Sequence, residues 1–414
     1  MRTRAALTGA LIVLCLVPAA AARAAAPAVG DGQGLHVVAA AQLDPRLVDV
    51  TVSTPALAKP VHVRILVPAG YAAQTTRRYP VLYLLHGALD DYRSWSDKGA
   101  AEQITAGAPL IVVMPEGGNG GWYTNWFNGG AGGPPEWERF HIDQLIPWLD
   151  AHYRTIATRT GRAVAGLSMG GFGAMSYAAR HPGLFVFAGS YSGAVDIVNN
   201  APVAAVIGFE APADGGKPGD QFGDRVVNES VWRAHNPWDQ AARLRGLVLT
   251  VHTGNGQPGP YDDRGRPLDL IEQQVREMSL SFHRRLVALG IPHRWDDYGG
   301  GTHSWPYWQR DLREDLPSMM ATFAHPPAAP APGAGCRTRR RFVVRLPRRP
   351  GLVIGSVVLR VNGRRAASLT GNRRTVAVDL RRRRAGTYHV TIAVRGVRRG
   401  HRVALTVRRT YRTC

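Results

Sequence analysis

The rhythm of hydrophobic and polar positions changes once along the chain, near residue 330. Before that point, short apolar runs alternate with stretches of helical spacing. Tyr79–Leu85, Leu110–Met114, Val164–Leu167, Phe185–Ser190 and Leu247–His252 are almost continuously apolar, which predicts strands buried on both faces. Trp137–Tyr153, Leu268–Leu289 and Ser304–Phe323 repeat apolar residues every three or four positions and predict helices. Leu47–Ser53 and Val61–Pro68 are β-branched and predict an antiparallel pair at a sheet edge, and His293–Tyr298 predicts a last strand. Ala194–Ala234, rich in Gly, Pro and Asp, reads as an irregular cap. Strands alternating with helices predict an α/β fold, a doubly wound and mostly parallel sheet. Beyond residue 335 the period becomes two, as in Val357, Leu359, Val361 and Val390, Ile392, Val394. With Asn362-Gly363 as a hairpin turn, this predicts a small all-β sandwich-like domain with arginines on its outer face.

Composition locates the boundaries. Residues 1–26 carry Arg2 and Arg4, an apolar run from Leu7 to Val17 and an alanine tract, the layout of a secretory signal peptide. The run is too short for a membrane span, and Leu14 is too large to precede a lipidated Cys15. No later stretch is apolar enough to span a membrane, so the mature chain is expected to be secreted or held in the cell envelope. Residues 27–324 form the α/β unit, 325–335 a Pro/Ala linker, and 336–414 the β unit. The net charge of +21 sits in one place: residues 336–414 hold 23 arginines, no lysine and a single acid, Asp379, which leaves −1 for the remainder. Such a basic unit points to anionic wall polymers or lipid headgroups. Export and sparse aromatics disfavour nucleic acid. Cys336 and Cys414 are the only cysteines after the signal segment, and in an exported protein such a pair is expected to form a disulfide.

The stretch that carries chemistry is Gly166-Leu-Ser168-Met-Gly170, with a strand before it and a helix after it. That context makes it a nucleophile elbow. The sharp turn lifts the Ser168 hydroxyl out of the sheet and leaves the Met169 N–H where an oxyanion forms. A base belongs on the loop after the last strand, where His303 lies. The acid belongs after the preceding strand, and spacing leaves Asp262, Asp263, Asp269 and Glu272 open. His283 and His293 are expected to be structural. Gly254-Asn-Gly-Gln-Pro-Gly259 satisfies a dinucleotide pattern, but Pro258 and Pro260 spoil the helix start that would hold a pyrophosphate. Neither a metal nor an organic cofactor is implied.

Several blocks together resemble one family: Tyr83-Leu-Leu-His-Gly, Met114-Pro-Glu-Gly-Gly, Trp137-Glu-Arg-Phe, Gly166-Leu-Ser-Met-Gly, Gly254-Asn-Gly and Gly301-Thr-His-Ser-Trp-Pro-Tyr-Trp. From about Leu47 to Phe323 the chain is similar to the esterase D / antigen 85 family of α/β-hydrolases, most of all its secreted mycolyltransferase branch. The resemblance implies Ser168 as nucleophile, His303 as base, Glu272 as acid, and the backbone N–H groups of Ala88 and Met169 as oxyanion donors. Trp122, Trp126 and Trp305 are candidate walls of a substrate cleft. One departure bears on the acceptor: the mycolyltransferases carry Asp-Gly-Leu-Arg where this chain has His86-Gly87-Ala88-Leu89, so two charged groups that help hold a sugar are missing.

These readings converge on an exported serine esterase or acyltransferase acting on acyl esters or lipids through an acyl-enzyme. Its nearest rival is a mycolyltransferase-type transfer to a sugar or lipid hydroxyl. A non-catalytic cell-envelope binding protein is the rival of another class.

Overall fold

The computed structural model describes residues 29–328, 340–346, 351–381, 383 and 386–413. The signal segment, most of the linker, and Cys15, Cys336 and Cys414 lie outside the described residues, and with them the expected disulfide. The described residues fall into two compact units, divided between Pro327 and Ala328.

The first unit is built on nine strands: β1 (His36–Gln42), β2 (Leu47–Ser53), β3 (Val61–Leu66), β4 (Val81–Leu85), β5 (Ile111–Pro115), β6 (Arg162–Leu167), β7 (Phe187–Tyr191), β8 (Val248–Thr253) and β9 (Arg294–Asp297). They lie side by side in the order β1-β2-β3-β5-β4-β6-β7-β8-β9. From β5 to β9 every pairing is parallel, while β1, β2 and β3 join antiparallel at one edge. Alternate residues of the central strands feed two cores. Val81, Tyr83, Leu85 and Val164 pack on one side of the sheet; Leu82, Leu84, Ala163 and Ala165 pack on the other. Burial on both faces is why these strands read as solid apolar runs.

Three features differ from the sequence reading. β1 was not expected, because HVVAAAQ is almost wholly exposed and alternates weakly. It displaces the predicted pair β2–β3 from the edge. The cap is not irregular throughout, since it contains the helices Ala201–Glu210 and Glu229–His235. The first is apolar on nearly every position, so it carries no 3.6-residue period; its start is set by Asn200, whose side chain accepts from the Val203 N–H. The predicted helix at Trp137–Tyr153 begins as wider turns over Arg139–Leu145 and becomes α-helical only at Ile146–His152.

The second unit has a four-stranded antiparallel sheet, β12-β11-β14-β15, and a two-stranded one, β10-β13. Its strands are β10 (Arg341–Arg345), β11 (Leu352–Val361), β12 (Arg364–Thr370), β13 (Thr375–Asp379), β14 (Gly386–Arg398) and β15 (His401–Thr413). Both sheets contribute to one core, Val344, Val376 and Val378 against Leu352, Leu359 and Ile392, which is the expected sandwich-like arrangement. Asn362 and Gly363 both take positive φ in the β11–β12 turn, the conformation that dipeptide favours.

A buried ionic cluster fastens the closing helix, Trp305–Ala324, to the sheet. His252 on β8 directs Nε2 at Asp315 (2.8 Å) and Nδ1 at Asp296 (3.0 Å), with Asp311 at 3.6 Å. Arg310 bridges Asp296 and Asp311. Burial alone would lower the imidazole pKa, but Asp315 and Asp311, aided by the bond to Asp296, overturn that and push it to about 10. Because that value exceeds the ordinary 6.5, the contribution to stability is complete below about pH 6.5 and is lost as pH rises through 10. His252→Ala leaves the buried Asp311 and Asp315 carboxylates without the imidazolium they share, at a cost of about 3–5 kcal/mol. Denaturant titration at pH 7 should read that loss, and the variant should lack the alkaline decline of the parent. A variant as stable as the parent would show that the cluster does not fasten the helix.

Candidate active site

Ser168 follows β6 directly and sits at φ 52°, ψ −117°, a strained conformation for a non-glycine residue. The neighbouring backbone leaves no room for side chains. A Cβ on Gly166 would lie 2.5 Å from the Gly170 carbonyl oxygen, and one on Gly170 would lie 2.6 Å from that of His86. The two glycines are therefore steric requirements of the turn, which ends in the buried helix Met169–Arg180.

At the same carboxyl end of the parallel strands, His303 donates from Nδ1 to Glu272 Oε2 at 2.7 Å. Glu272 has no exposed side-chain surface, and its other oxygen, Oε1, is held by the Gly254 N–H (2.7 Å), Ser192 Oγ (2.9 Å) and Thr253 Oγ1 (3.1 Å). Of the four acids left open by spacing, Glu272 is the one that faces the imidazole. Asp269 caps the helix Leu270–Ala288 and accepts the His303 backbone N–H. Asp262 accepts from Thr302, Tyr307 and the Gly259 N–H, and these bonds outweigh its desolvation and hold its carboxyl below the usual range. Asp263 is exposed. The dinucleotide-like glycines serve the same loop: Asn255 N–H bonds the Gly299 carbonyl and Gly256 N–H that of Gly301.

The two expected oxyanion donors flank the elbow. Among the described residues, the N–H groups of Ala88 and Met169 have no acceptor. Gly87, next to Ala88, borders Ser168 closely: a Cβ there would lie 3.4 Å from Ser168 Cβ. The loop carrying Ala88 is tied to the cap. Leu89 N–H bonds the Asn119 carbonyl (2.9 Å), and Asp214 accepts from the N–H groups of Asn119 (2.9 Å) and Gly120 (2.8 Å). His86 is buried, with Nδ1 on the Gly87 carbonyl and Nε2 accepting from the Gly117 N–H.

The three tryptophans part company. Trp126 (2 % exposed) donates to the Gly121 carbonyl within the main core, and Trp122 (4 %) packs on Phe172 and bonds Glu210. Neither presents surface to solvent, so both act as packing for the segment after β5. Burial in turn lifts the Glu210 carboxyl above its ordinary range. Trp305 is partly exposed and belongs to a line of rings, Trp95–Trp305–Trp308–His303, each pair about perpendicular. Lys98 lies over the Trp305 ring and pairs with Asp90 at 2.9 Å. Asp90 borders the same empty Gly87 Cβ position as Ser168. Sequence reading missed Ser192, Thr253, Asp90, Lys98 and Asp214; in one dimension each is an ordinary loop polar residue. His283 and His293 bond each other at 2.8 Å and are structural, as expected. Among the described residues no group of His, Cys, Asp or Glu is arranged to hold a metal ion.

Residues 54–319 match the family described as Esterase. The chain belongs to the esterase family. It is 37% identical over 277 residues to Esterase Rv1288 of Mycobacterium tuberculosis, covering 66% of this chain and 59% of that relative, so it spans about three fifths of the relative's length. It is 32% identical over 252 residues to the diacylglycerol acyltransferase/mycolyltransferase Ag85B of Mycobacterium leprae, with 59% of this chain and 76% of that one covered. Among solved structures it resembles Mycobacterium tuberculosis MPT51, with a TM-score of 0.53 and 26% identity over 66% of this chain and 97% of that one. The mostly parallel sheet with helices is thus an α/β-hydrolase fold, and the family expected from the sequence motifs is shown.

The bonds from Asp214 through Asn119 to Leu89 generate a prediction. Asp214→Ala frees the loop that carries the Ala88 N–H and should lower kcat for ester hydrolysis roughly ten- to a hundredfold, with KM little changed. Asp214→Glu should recover part of the loss. Unchanged kcat alongside a lowered Tm would make Asp214 a stabilising contact only.

Proposed function

We propose that this esterase-family chain is an exported serine esterase or acyltransferase that works through an acyl-enzyme. The observation carrying the reading is the buried Glu272 carboxylate bonded at 2.7 Å to His303, at the carboxyl end of the parallel strands where the elbow presents Ser168. With Nδ1–H committed to Glu272, the imidazole keeps Nε2 as the base. Ser168 Oγ attacks the ester carbonyl and its proton passes to Nε2. The oxygen of the tetrahedral intermediate takes up the Ala88 and Met169 N–H groups. Collapse expels the alcohol, which leaves with the proton from Nε2. Water or an acceptor hydroxyl, deprotonated by the same nitrogen, then releases the acyl group as acid or as a new ester. Glu272 fixes the ring and faces the imidazolium that forms twice per cycle.

A second reading, transfer to a sugar or lipid hydroxyl, is favoured by the Asp90–Lys98 pair beside Trp305. His86 and Leu89 cannot supply the charges by which the mycolyltransferase branch holds its sugar, but this pair places a carboxylate and an ammonium near the nucleophile. A hydroxyl held there gains an effective concentration that competes with water. The basic C-terminal unit suits an anionic wall polymer or lipid headgroup. A non-catalytic envelope-binding role would leave the Ser168, His303 and Glu272 arrangement without a purpose.

Ser168→Ala or His303→Ala should lower ester hydrolysis by about 10⁴-fold or more. Glu272→Gln should cost less, though still decades, while Asp262→Asn and Asp269→Asn retain more activity than Glu272→Gln. A fully active Glu272→Gln enzyme would remove Glu272 from its role. Given an acyl donor with trehalose, glycerol or water alone, the chain should release mainly free acid, with trehalose a poor acceptor. Dominant acyl-trehalose at millimolar trehalose would make it a mycolyltransferase in function.

A further inference from the structure

The outer face of the four-stranded sheet is a basic track of defined geometry. On β11 the inward residues are Val357, Leu359 and Val361, so Ser356, Val358 and Arg360 face outward. The register places Arg365 of β12 directly opposite Arg360, and Arg395 of β14 opposite Ser356. Arg402 of β15 lies opposite Val397, which pairs with Val353. Arg360, Arg365, Arg395 and Arg402 are all exposed. Ser356 is four residues and Val353 seven from Arg360, so at roughly 3.3 Å per residue along the strands and about 4.8 Å between them the four arginines run diagonally over about 25 Å. Between them the cross-strand row Ser368–Val358–Ala393–Thr406 is made of short side chains.

We propose that this face binds a linear phosphodiester polymer, lying flat along the diagonal. The inference rests on the reading that the basic unit meets an anionic envelope component, and it names the surface and the polymer class. Charge complementarity is its first support: the unit's single acidic side chain, Asp379, is paired with Arg381, and among the described residues no carboxylate stands opposite the four arginines. Directly opposed like charges destabilise a bare sheet. Arg360 and Arg365, about 5 Å apart at Cα, are therefore relieved by an anion that accepts from both. A phosphodiester offers a separate non-bridging oxygen to each guanidinium and repeats that charge at regular intervals along a linear chain. A lipid surface fits less well, because among the described residues the large apolar side chains exposed on the face are Val353 (57 %) and Val397 (44 %), neither of them aromatic. The buried Tyr388 and the inward Tyr411 pack in the core, which removes both tyrosines as stacking platforms for nucleic-acid bases.

The test uses the full chain and three probes: a glycerol-phosphate decamer, phosphatidylglycerol vesicles, and a deoxythymidine decamer. The parent should bind the glycerol-phosphate decamer at low salt, and its log affinity should fall steeply with log salt. Changing Arg360, Arg365, Arg395 and Arg402 together to Ser should weaken binding at least about thirtyfold and flatten the salt slope by roughly three units. Changing Arg364, Arg373, Arg399 and Arg409, which lie off this face, removes the same charge and should weaken it less than about threefold. Equal losses in the two variants would reduce the effect to net charge and overturn the face assignment. Tighter binding to vesicles, or to the deoxythymidine decamer, would overturn the polymer class. Far-UV circular dichroism and thermal unfolding, expected to match the parent in both variants, report folding of the basic unit, and ester hydrolysis is expected to be unchanged. That activity also separates the claims, since a chain that hydrolyses esters but ignores the decamer defeats only this inference.

Discussion

The site depends on one buried carboxylate. Glu272 gathers donors from the ends of two strands, Ser192 beyond β7 and Thr253 and Gly254 at the end of β8, and gives its other oxygen to His303. A charge with no exposed surface is costly unless its oxygens are filled, and here four donors fill them. The arrangement also dictates the surroundings. Asp269 must cap the helix so that Glu272 lies in its first turn, and the glycine loops at 254–256 and 299–301 must close on each other so that the imidazole meets the carboxylate. The His252 cluster then holds the helix that follows the histidine loop, through Asp311 and Asp315.

How much of this was legible follows from which patterns are one-dimensional. The elbow was, because its glycines are steric necessities and its strand and helix are adjacent in sequence. The sheet was, because burial on both faces writes solid apolar runs. Glu272 was not legible from spacing alone. Asp262, Asp263 and Asp269 stand as near, and only the fold turns the first and last toward backbone and hydroxyl donors and leaves the second in solvent. The resemblance to a known family singled out Glu272 where spacing could not, and in the structure it is the acid bonded to His303. The Ala201–Glu210 helix and β1 escaped notice because neither carries the period of its own conformation. Trp122 and Trp126 looked like cleft walls because exposure cannot be read from residue type; their indoles are satisfied inside the core.

The acceptor side shows the same limit in the other direction. Replacing an aspartate and an arginine with His86 and Leu89 suggested a site stripped of charge. In three dimensions Asp90 and Lys98 stand beside Ser168 and Trp305, so charge is present on a different part of the loop. The basic unit follows from composition and period together: alternation puts its apolar residues in one core, and its arginines then have only the surface to occupy.

The central claim is that Ser168 carries the acyl group, and intact-mass spectrometry of the full chain during turnover of an activated acyl ester tests it most directly. The account predicts a mass increase of one acyl group in a rapidly quenched sample, mapped by peptide analysis to Ser168, accumulating further in Glu272→Gln if deacylation slows more than acylation, and absent in Ser168→Ala. Ester turnover with no adduct on Ser168, or an adduct that persists on another residue in Ser168→Ala, would contradict it.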